Sequence, residues 1–261
     1  MSMFQSINVS KTMLSIFVAS VYIFLYTPIM VLVLYSFNQG GFPDAWQGFS
    51  LHWYQDLFHS EEIWRAFLNS VIVACVSSFL SVSMSILLVH GVRHYRSNVV
   101  PLFYINALIP DIVLAVGMLS LFSYLMVPLG LTTLIAGHTL LGLGFSMPII
   151  KGRYDELDKS LIEASLDLGA SMRYTFFHVI VPFLYPAILV AFLLSIIISF
   201  DDFLISFFCA GSSVQTLSLY IFSMIRSGIS PVVNALSTLL LVGSCFMLFI
   251  MMMLQRNLFR D

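Results

Sequence analysis

Long apolar runs separated by short polar segments dominate the pattern of this chain. A membrane-spanning helix needs about 20 consecutive apolar residues, and six runs reach that length. Their approximate limits are Met13 to Phe37, Trp64 to His90, Val99 to Val127, Leu131 to Ile150, Phe183 to Ala210 and Pro231 to Leu254. The first run is longer than a signal-peptide core and lacks a small-x-small cleavage site, so we interpret it as uncleaved. The pattern predicts an all-α integral membrane protein with six transmembrane helices in one domain, residues 1–261.

Composition agrees with the membrane class. The 261 residues are 59% hydrophobic and only 9% charged, whereas soluble domains carry about 25% charged residues. Membrane lipid is therefore an expected partner. The net charge of −2 says nothing about nucleic acid, and no basic tail or basic-aromatic patch argues for it, so none is expected as a partner. The three cysteines are odd in number and far apart, so we expect no disulfide framework.

The basic residues predict the orientation in the membrane. Two of them, Arg65 and Arg226, fall on one side of the six-span map. The others fall on the opposite side: Lys11, Arg93, Arg96, Lys151, Arg153, Lys159, Arg173, Arg256 and Arg260. Basic residues near span ends stay in the cytoplasm, so both termini are expected there. The aromatic segment between the first two spans then faces outward, where its rings are either interfacial anchors or a docking surface.

Two adjacent carboxylates, Asp201 and Asp202, interrupt the fifth apolar run. An acidic group at the bilayer centre costs about 2.5–3.5 kcal/mol even on lenient scales, so the pair predicts a site for something positively charged. Neighbours on a helix point about 100° apart, so only one of them is expected to face a pathway. The alternative is an ion pair or hydrogen bond inside the bundle. A Lys or Arg partner would come from another chain, because spans two to six contain neither residue between their ends.

A third acid, Asp111, follows Pro110 within the third run. Counting from the start of that run places it near the midplane. Proline frees a backbone carbonyl one turn earlier, which is a further acceptor for a cation. We interpret Asp111 as lining the same pathway, with a helix-end or packing role as the alternative.

The polar segment between the fourth and fifth spans, Lys151 to Pro182, has helical periodicity. The stretch Asp158 to Leu168 is predicted to be helical, with Leu161, Ala164 and Leu168 on one stripe, and Gly169 is placed to end that helix with a positive φ. A second short amphipathic stretch runs from Met172 to Ile180. Two short helices joined by a glycine turn predict a cytoplasmic surface that another protein can bind.

The sequence EASLDLGASMRYTFFHVIVPFLYPAI in this segment closely resembles the EAA loop of ABC importer permeases, with Ser165 in place of the usual alanine. Glu163, Ala164, Gly169 and Pro182 occupy its signature positions. The resemblance implies a type I importer permease (MetI-like) fold, whose cytoplasmic coupling helices contact a separate ATPase. The implied coupling residues are Glu163, Ala164, Ser165, Asp167, Gly169 and Ala170.

Further stretches are similar to the second permease subunit of spermidine/putrescine importers. They are Tyr35 to Asn38 (YSFN), Trp46 to Phe49 with Trp53-Tyr54, Pro110 to Val113 (PDIV), Ser199 to Asp202 (SFDD), and Tyr220 to Leu236. This resemblance implies an ATP-driven polyamine importer in a bacterial inner membrane. The implied partners are a second homologous permease, two copies of a cytoplasmic subunit that binds ATP and Mg, and a periplasmic polyamine-binding protein. No catalytic site, metal or cofactor is expected in this chain.

A polyamine is a chain of ammonium groups joined by methylenes, so its pathway needs carboxylates and aromatic faces. Phe200 and Phe203 flank the acidic pair. The expected pathway residues are therefore Asp201, Asp202, Asp111, Phe200 and Phe203.

Two alternatives stay open. One is an importer of the same family for another cationic or small organic solute. The other is an ion-coupled cation carrier, against which the cytoplasmic docking segment argues. The chain contains no G-x-x-x-x-G-K-[ST] phosphate-binding loop. Its six histidines lack metal-ligand spacing, and we interpret His138, inside the fourth span, as structural.

Overall fold

The computed structural model describes residues 2–41, 45–95, 108–228 and 231–258, and the side chains of 13–41, 45–91, 108–228, 231–250 and 252–253. The helices are α1 (Ser2–Tyr35), α2 (His52–His59), α3 (Glu61–Tyr95), α4 (Asp111–Tyr124), α5 (Leu131–Asp155), α6 (Lys159–Asp167), α7 (Met172–Thr175), α8 (Val181–Asp201), α9 (Leu204–Cys209), α10 (Leu217–Ser227) and α11 (Val232–Leu258). A π-helical turn, Phe176–Ile180, joins α7 to α8. The chain is all-helical in these parts, apart from one isolated β-bridge between Asn38 and Phe49.

Within the described residues, five helical stretches are long and apolar enough to cross a membrane. They are Met13–Tyr35, Glu61–Gly91, Leu131–Asp155, Met172–Asp201 and Val232–Ile250. Each overlaps one predicted span. The third predicted span begins outside the described residues, and its described part contains α4, which has 14 residues. Six spans therefore stay a prediction.

The fifth predicted span was wrong as a single helix from Phe183 to Ala210. Helix α8 ends at Asp201, and α9 begins at Leu204. The physical reason is Asp202, whose backbone is extended with φ −68° and ψ 126°. Its carboxylate accepts the amide hydrogens of the following helix, so a polar side chain replaces part of the helical hydrogen bonding.

Helices α3, α5 and α8 pack closely through small residues. The buried residues of α3 recur at helical spacing, and many of them are serines: Ser70, Ser77, Ser78, Ser81 and Ser85. Ser85 and Ser146 of α5 share a hydrogen bond of 2.7 Å. A Cβ at Gly142 would lie 2.8 Å from the hydroxyl of Ser81, so α5 approaches α3 at near-minimal separation.

Two hydrophobic clusters form the core of the part of the chain from Glu61 onward. One includes Val89, Ile150 and Leu184, toward the Lys151–Pro182 segment. The other surrounds α9 and includes Val73, Leu134, Ile205 and Cys209. The second cluster holds the short helix after Asp202 in place.

The contacts divide the chain into two compact units, Met1–Ser60 with Met224–Gly243, and Glu61–Ser223 with Ser244–Asp261. Both hydrophobic clusters belong to the second unit. The first unit contains α1, α2 and the segment between them. All side chains described for residues 13–31 are exposed, as a helix surrounded by lipid requires.

Gly137 of α5 gives a stability prediction. A Cβ at this position would lie 2.6 Å from Cγ2 of Ile205, and this methyl is attached to a stiff β-branched side chain. Gly137→Ala should destabilise the folded protein by about 1–3 kcal/mol through overpacking, measured as a lower thermal midpoint in detergent. Gly117→Ala is the control, because a Cβ there meets nothing within 4 Å. Equal midpoints for the two variants would contradict the close packing of α5 against α9.

Candidate functional site

The acidic pair lies where α8 gives way to α9, a connection that we call the helix break (residues 201–203). Asp202 is buried, and its Oδ1 and Oδ2 accept the backbone N–H groups of Ile205 at 3.3 Å and Ser206 at 3.0 Å. Its carbonyl accepts the hydroxyl of Ser218 at 2.9 Å. Asp202 therefore caps α9 and fixes the break to the start of α10.

His138 of α5 lies against the same break. It is 2% exposed. Its Nδ1 is 2.9 Å from Oγ of Ser199, its Nε2 is 3.3 Å from Oγ of Ser206, and the same Nε2 is 3.7 Å from Oδ2 of Asp202. The neutral tautomer with hydrogen on Nε2 fits these partners, since the Ser199 hydroxyl can donate to Nδ1 while Nε2–H faces the Ser206 hydroxyl and the carboxylate. The ring thus connects both sides of the break.

The alternative of a hydrogen bond inside the bundle describes Asp202. Its carboxylate accepts two backbone N–H groups and lies 3.7 Å from Nε2 of the neutral His138 ring. The sequence indicates a structural role for His138 and does not join this residue to the acids. The signal that could have found the contact is a histidine in an apolar span of a chain whose other spans contain acids.

Asp201 differs from its neighbour, because its side chain is exposed. Phe200 beside it is half-buried and lies 6.3 Å from the ring of Phe67. Phe203 on the other side of the break lies 4.8 Å from the ring of Phe222. An accessible carboxylate can receive an ammonium group, and nearby aromatic rings can receive the methylenes next to it.

Asp111 is the first residue of α4 and is exposed. Pro110 is the N-cap residue of this helix, so Asp111 lies at the start of a helix and not inside a continuous one. The carbonyl that we expected proline to free belongs to residue 106, outside the described residues. Helix α4 packs against α9, the helix that follows Asp202. The third acid thus begins a helix that contacts the helix after the break.

The predicted docking segment contains α6, which matches the sequence expectation closely. The Asp158 side chain caps it by accepting the N–H of Ser160 at 2.9 Å, and this hydrogen bond lowers the pKa of Asp158. Gly169 has φ +87°, as predicted for the helix end. Glu163, Ala164 and Asp167 are all exposed. A protein surface could therefore reach them directly.

Ser165 and Ala170 take a different place in this segment, since both are half-buried. Oγ of Ser165 is 2.9 Å from Oγ1 of the buried Thr175 in α7. The N–H of Ala170 donates to the carbonyl of Ser165. The Ala170 bond closes the end of α6, and the Ser165–Thr175 bond holds α6 against α7, which continues through the π-helical turn into α8. They connect the exposed surface to the span that ends at Asp201.

The segment between the first two spans (residues 38–63), which we predict to face outward, is held to the end of α1 by hydrogen bonds. Oγ of Ser36 lies 2.8 Å from the hydroxyl of Tyr54, and the Trp53 indole donates to the carbonyl of Asn38 at 2.8 Å. Two of its aromatic residues therefore take part in these hydrogen bonds. Trp46 is 53% exposed and keeps both interpretations, interfacial anchor and docking surface, open.

Comparison with known proteins assigns this chain to a family, although no protein-family model matches it. The chain is 34% identical over 245 residues to the spermidine/putrescine transport system permease protein PotC of Haemophilus influenzae, covering 92% of this chain and 95% of PotC. It is 34% identical over 229 residues to the putrescine transport system permease protein PotI of Escherichia coli, covering 84% and 82%.

Two solved structures share the fold. A bacterial alginate ABC transporter, in complex with a periplasmic protein bound to an alginate pentasaccharide, matches with a TM-score of 0.71 at 17% identity, over 97% of this chain and 96% of that one. The inward-facing MetNI methionine ABC transporter matches with a TM-score of 0.61 at 21% identity, over 76% and 98%. The chain is thus a multi-pass membrane protein, and it belongs to the family of ABC importer permease subunits that PotC and PotI represent, which are transport proteins and not enzymes.

Proposed function

We propose that this chain forms half of the translocation pathway of an ATP-driven importer of polyamines such as spermidine and putrescine. The observation that carries the proposal is the exposed carboxylate of Asp201 at the helix break, which Phe200 and Phe203, each paired with another aromatic ring, flank in the chain. The named relatives PotC and PotI belong to spermidine/putrescine and putrescine systems. An ammonium cargo fits these acids, and an anionic cargo does not.

The pathway residues divide by role in this proposal. Asp201 receives an ammonium group, while Phe200 and Phe203 provide apolar surface for the methylenes. Asp111 adds a second negative charge. Asp202 has a structural role: it stabilises the helix break, because its carboxylate oxygens already accept two backbone hydrogen bonds.

The partners follow the same proposal. A second homologous permease completes the pathway, and two cytoplasmic subunits bind ATP and Mg beneath it. The exposed residues Glu163, Ala164 and Asp167 contact these ATPases. Movement then passes from Ser165 through Thr175 into α8. A periplasmic polyamine-binding protein delivers the cargo to the outer face.

Competitive uptake tests the function. In cells with the full set of subunits, unlabelled spermidine or putrescine should suppress uptake of radiolabelled putrescine, and lysine should not. Loss of uptake on depletion of ATP, with the proton gradient intact, separates the importer from an ion-coupled carrier. Equal suppression by lysine would favour an importer of another cationic solute. Uptake that persists without ATP would overturn the proposal.

The proposed location is a bacterial inner membrane with both termini in the cytoplasm. It rests on the basic residues, of which only Arg65 and Arg226 fall on the outer side of the predicted map. A reporter enzyme that is active only in the cytoplasm should be active when fused after Asp261, and a reporter that is active only in the periplasm should be inactive at the same position. A second fusion within the outward segment, after Gly48, is the control and should give periplasmic activity. The reverse result would invert the orientation.

A further inference from the structure

Helix α5 holds α9 at two successive turns. The hydroxyl of Thr133 donates to the carbonyl of Cys209 at 2.8 Å. One turn later, Gly137 leaves so little space that an added Cβ would lie 2.6 Å from Ile205. His138 follows directly. The short helix after the break is therefore fixed to α5 by hydrogen bonding as well as by apolar packing.

His138 is distinguished by its partners on each side of the break. Ser199 belongs to α8 and Ser206 to α9, and the imidazole is within hydrogen-bond distance of both hydroxyls. Asp202 lies between these serines in the chain and near the same ring nitrogen, 3.7 Å away. A buried imidazole with these partners resists any movement that separates the two helices, since each lost partner would leave a polar group unsatisfied.

We propose that His138 is a positioning residue for the cation pathway. It keeps residues 201–203 from joining α8 and α9 into one continuous helix, so that the carboxylate of Asp202 stays buried as the cap of α9 and the carboxylate of Asp201 stays exposed. The inference rests on the proposed function only in that the solute is a cation. If the backbone of Asp202 relaxed toward a helix, each added helical residue would turn the chain by about 100°. Asp201 would then no longer be the last residue of α8.

The accessibility of position 201 tests this directly. Asp201→Cys is introduced into a chain whose native Cys75, Cys209 and Cys245 are replaced, and the whole transporter complex is assembled. The rate of reaction with a cationic, water-soluble thiosulfonate is followed by mass shift on this chain. Adding His138→Leu should slow labelling by roughly five- to tenfold, as expected for the loss of one to two buried hydrogen bonds. His138→Gln, which can still donate to Ser206, should recover part of the rate.

The control is Thr139→Val. Thr139 is the next residue of α5, is 8% exposed, and donates its hydroxyl to the carbonyl of Ile135 within the same helix. This variant changes a buried polar group without touching the break, so the labelling rate should stay at the parent value. Equal rates for His138→Leu and the parent would overturn the proposal. Equal slowing by Thr139→Val and His138→Leu would also overturn it, because general loosening would then explain the effect.

Two further measurements complete the test. If His138→Leu does not assemble, Ser199→Ala replaces it, because this change removes the hydroxyl on α8 that bonds to Nδ1 of His138. In the native-cysteine background, His138→Leu should lower the maximal rate of polyamine uptake about five- to tenfold, with half-saturation unchanged because the external binding protein sets it. Labelling does not depend on the cargo, so failure of the polyamine assignment would appear in competitive uptake and leave the labelling result intact. A change in half-saturation alone would overturn the positioning role.

Discussion

Asp201→Asn should lower polyamine uptake about 10- to 100-fold while leaving the assembled complex at its parent level. The magnitude corresponds to the loss of a hydrogen bond between charged groups, about 1.5–3 kcal/mol. Asp201 is exposed and at the end of α8, so asparagine can occupy the same space. The measurement is radiolabelled putrescine uptake per complex, with complex counted after affinity purification.

Asp202→Asn is the matched comparison, because it makes the same chemical change one residue later. Its two carboxylate oxygens accept the N–H groups of Ile205 and Ser206. An asparagine offers one oxygen and one NH₂ group, so at least one buried N–H loses its acceptor, at about 1–3 kcal/mol. The expected result is less assembled complex and a lower thermal midpoint.

The two substitutions are thus expected to impair different properties of the protein. Asp201→Asn should leave stability unchanged and reduce transport, whereas Asp202→Asn should reduce stability first. Parent-level uptake in purified Asp201→Asn complex would remove the exposed carboxylate from the pathway. Equal losses of stability in both variants would contradict the separate roles that the break assigns to them.

The fold was predictable where local residues decide it. Apolar length alone located the five described spans, since a helix that crosses a membrane needs about 20 apolar residues. Helix α6 was predictable to within one residue at each end. Asp158 has the side chain of an N-cap, and Gly169 tolerates the positive φ of the helix end.

The helix break was not predictable in the same way. An aspartate pair inside an apolar run is compatible with a continuous helix, and the competing structure depends on whether its carboxylate finds backbone donors. Here the donors belong to Ile205 and Ser206, and the packing of Gly137 against Ile205 holds them in place. That contact joins residues far apart in the chain.

The candidate site was predicted in its residue types but not in its division of roles. Helical geometry required Asp201 and Asp202 to point in different directions. Which of them is exposed follows from the extended backbone of Asp202 and from His138, which lies 64 residues before it in the chain. Such a pairing is a tertiary contact, which no local pattern specifies.

Gly169→Pro should abolish the coupling of ATP hydrolysis to uptake, or the attachment of the ATPase, and reduce transport at least about tenfold. Gly169 has φ +87°, and its N–H donates to the carbonyl of Leu166 at 2.9 Å. Proline fixes φ near −65° and has no N–H, so it prevents both features, at a local cost of about 3 kcal/mol or more. The end of α6 must then change, and with it the placing of Glu163 and Asp167.

Gly169→Asn is the control for this change. Asparagine is one of the few residues that adopt positive φ readily, and a Cβ at this position meets nothing within 4 Å. It should therefore keep at least half of the parent uptake and of the uptake-linked ATP hydrolysis, measured together in proteoliposomes. Coupled turnover at the parent rate in Gly169→Pro would show that the glycine turn does not carry the coupling. Equal loss in both variants would instead indicate that the glycine lies against the ATPase, where any side chain interferes.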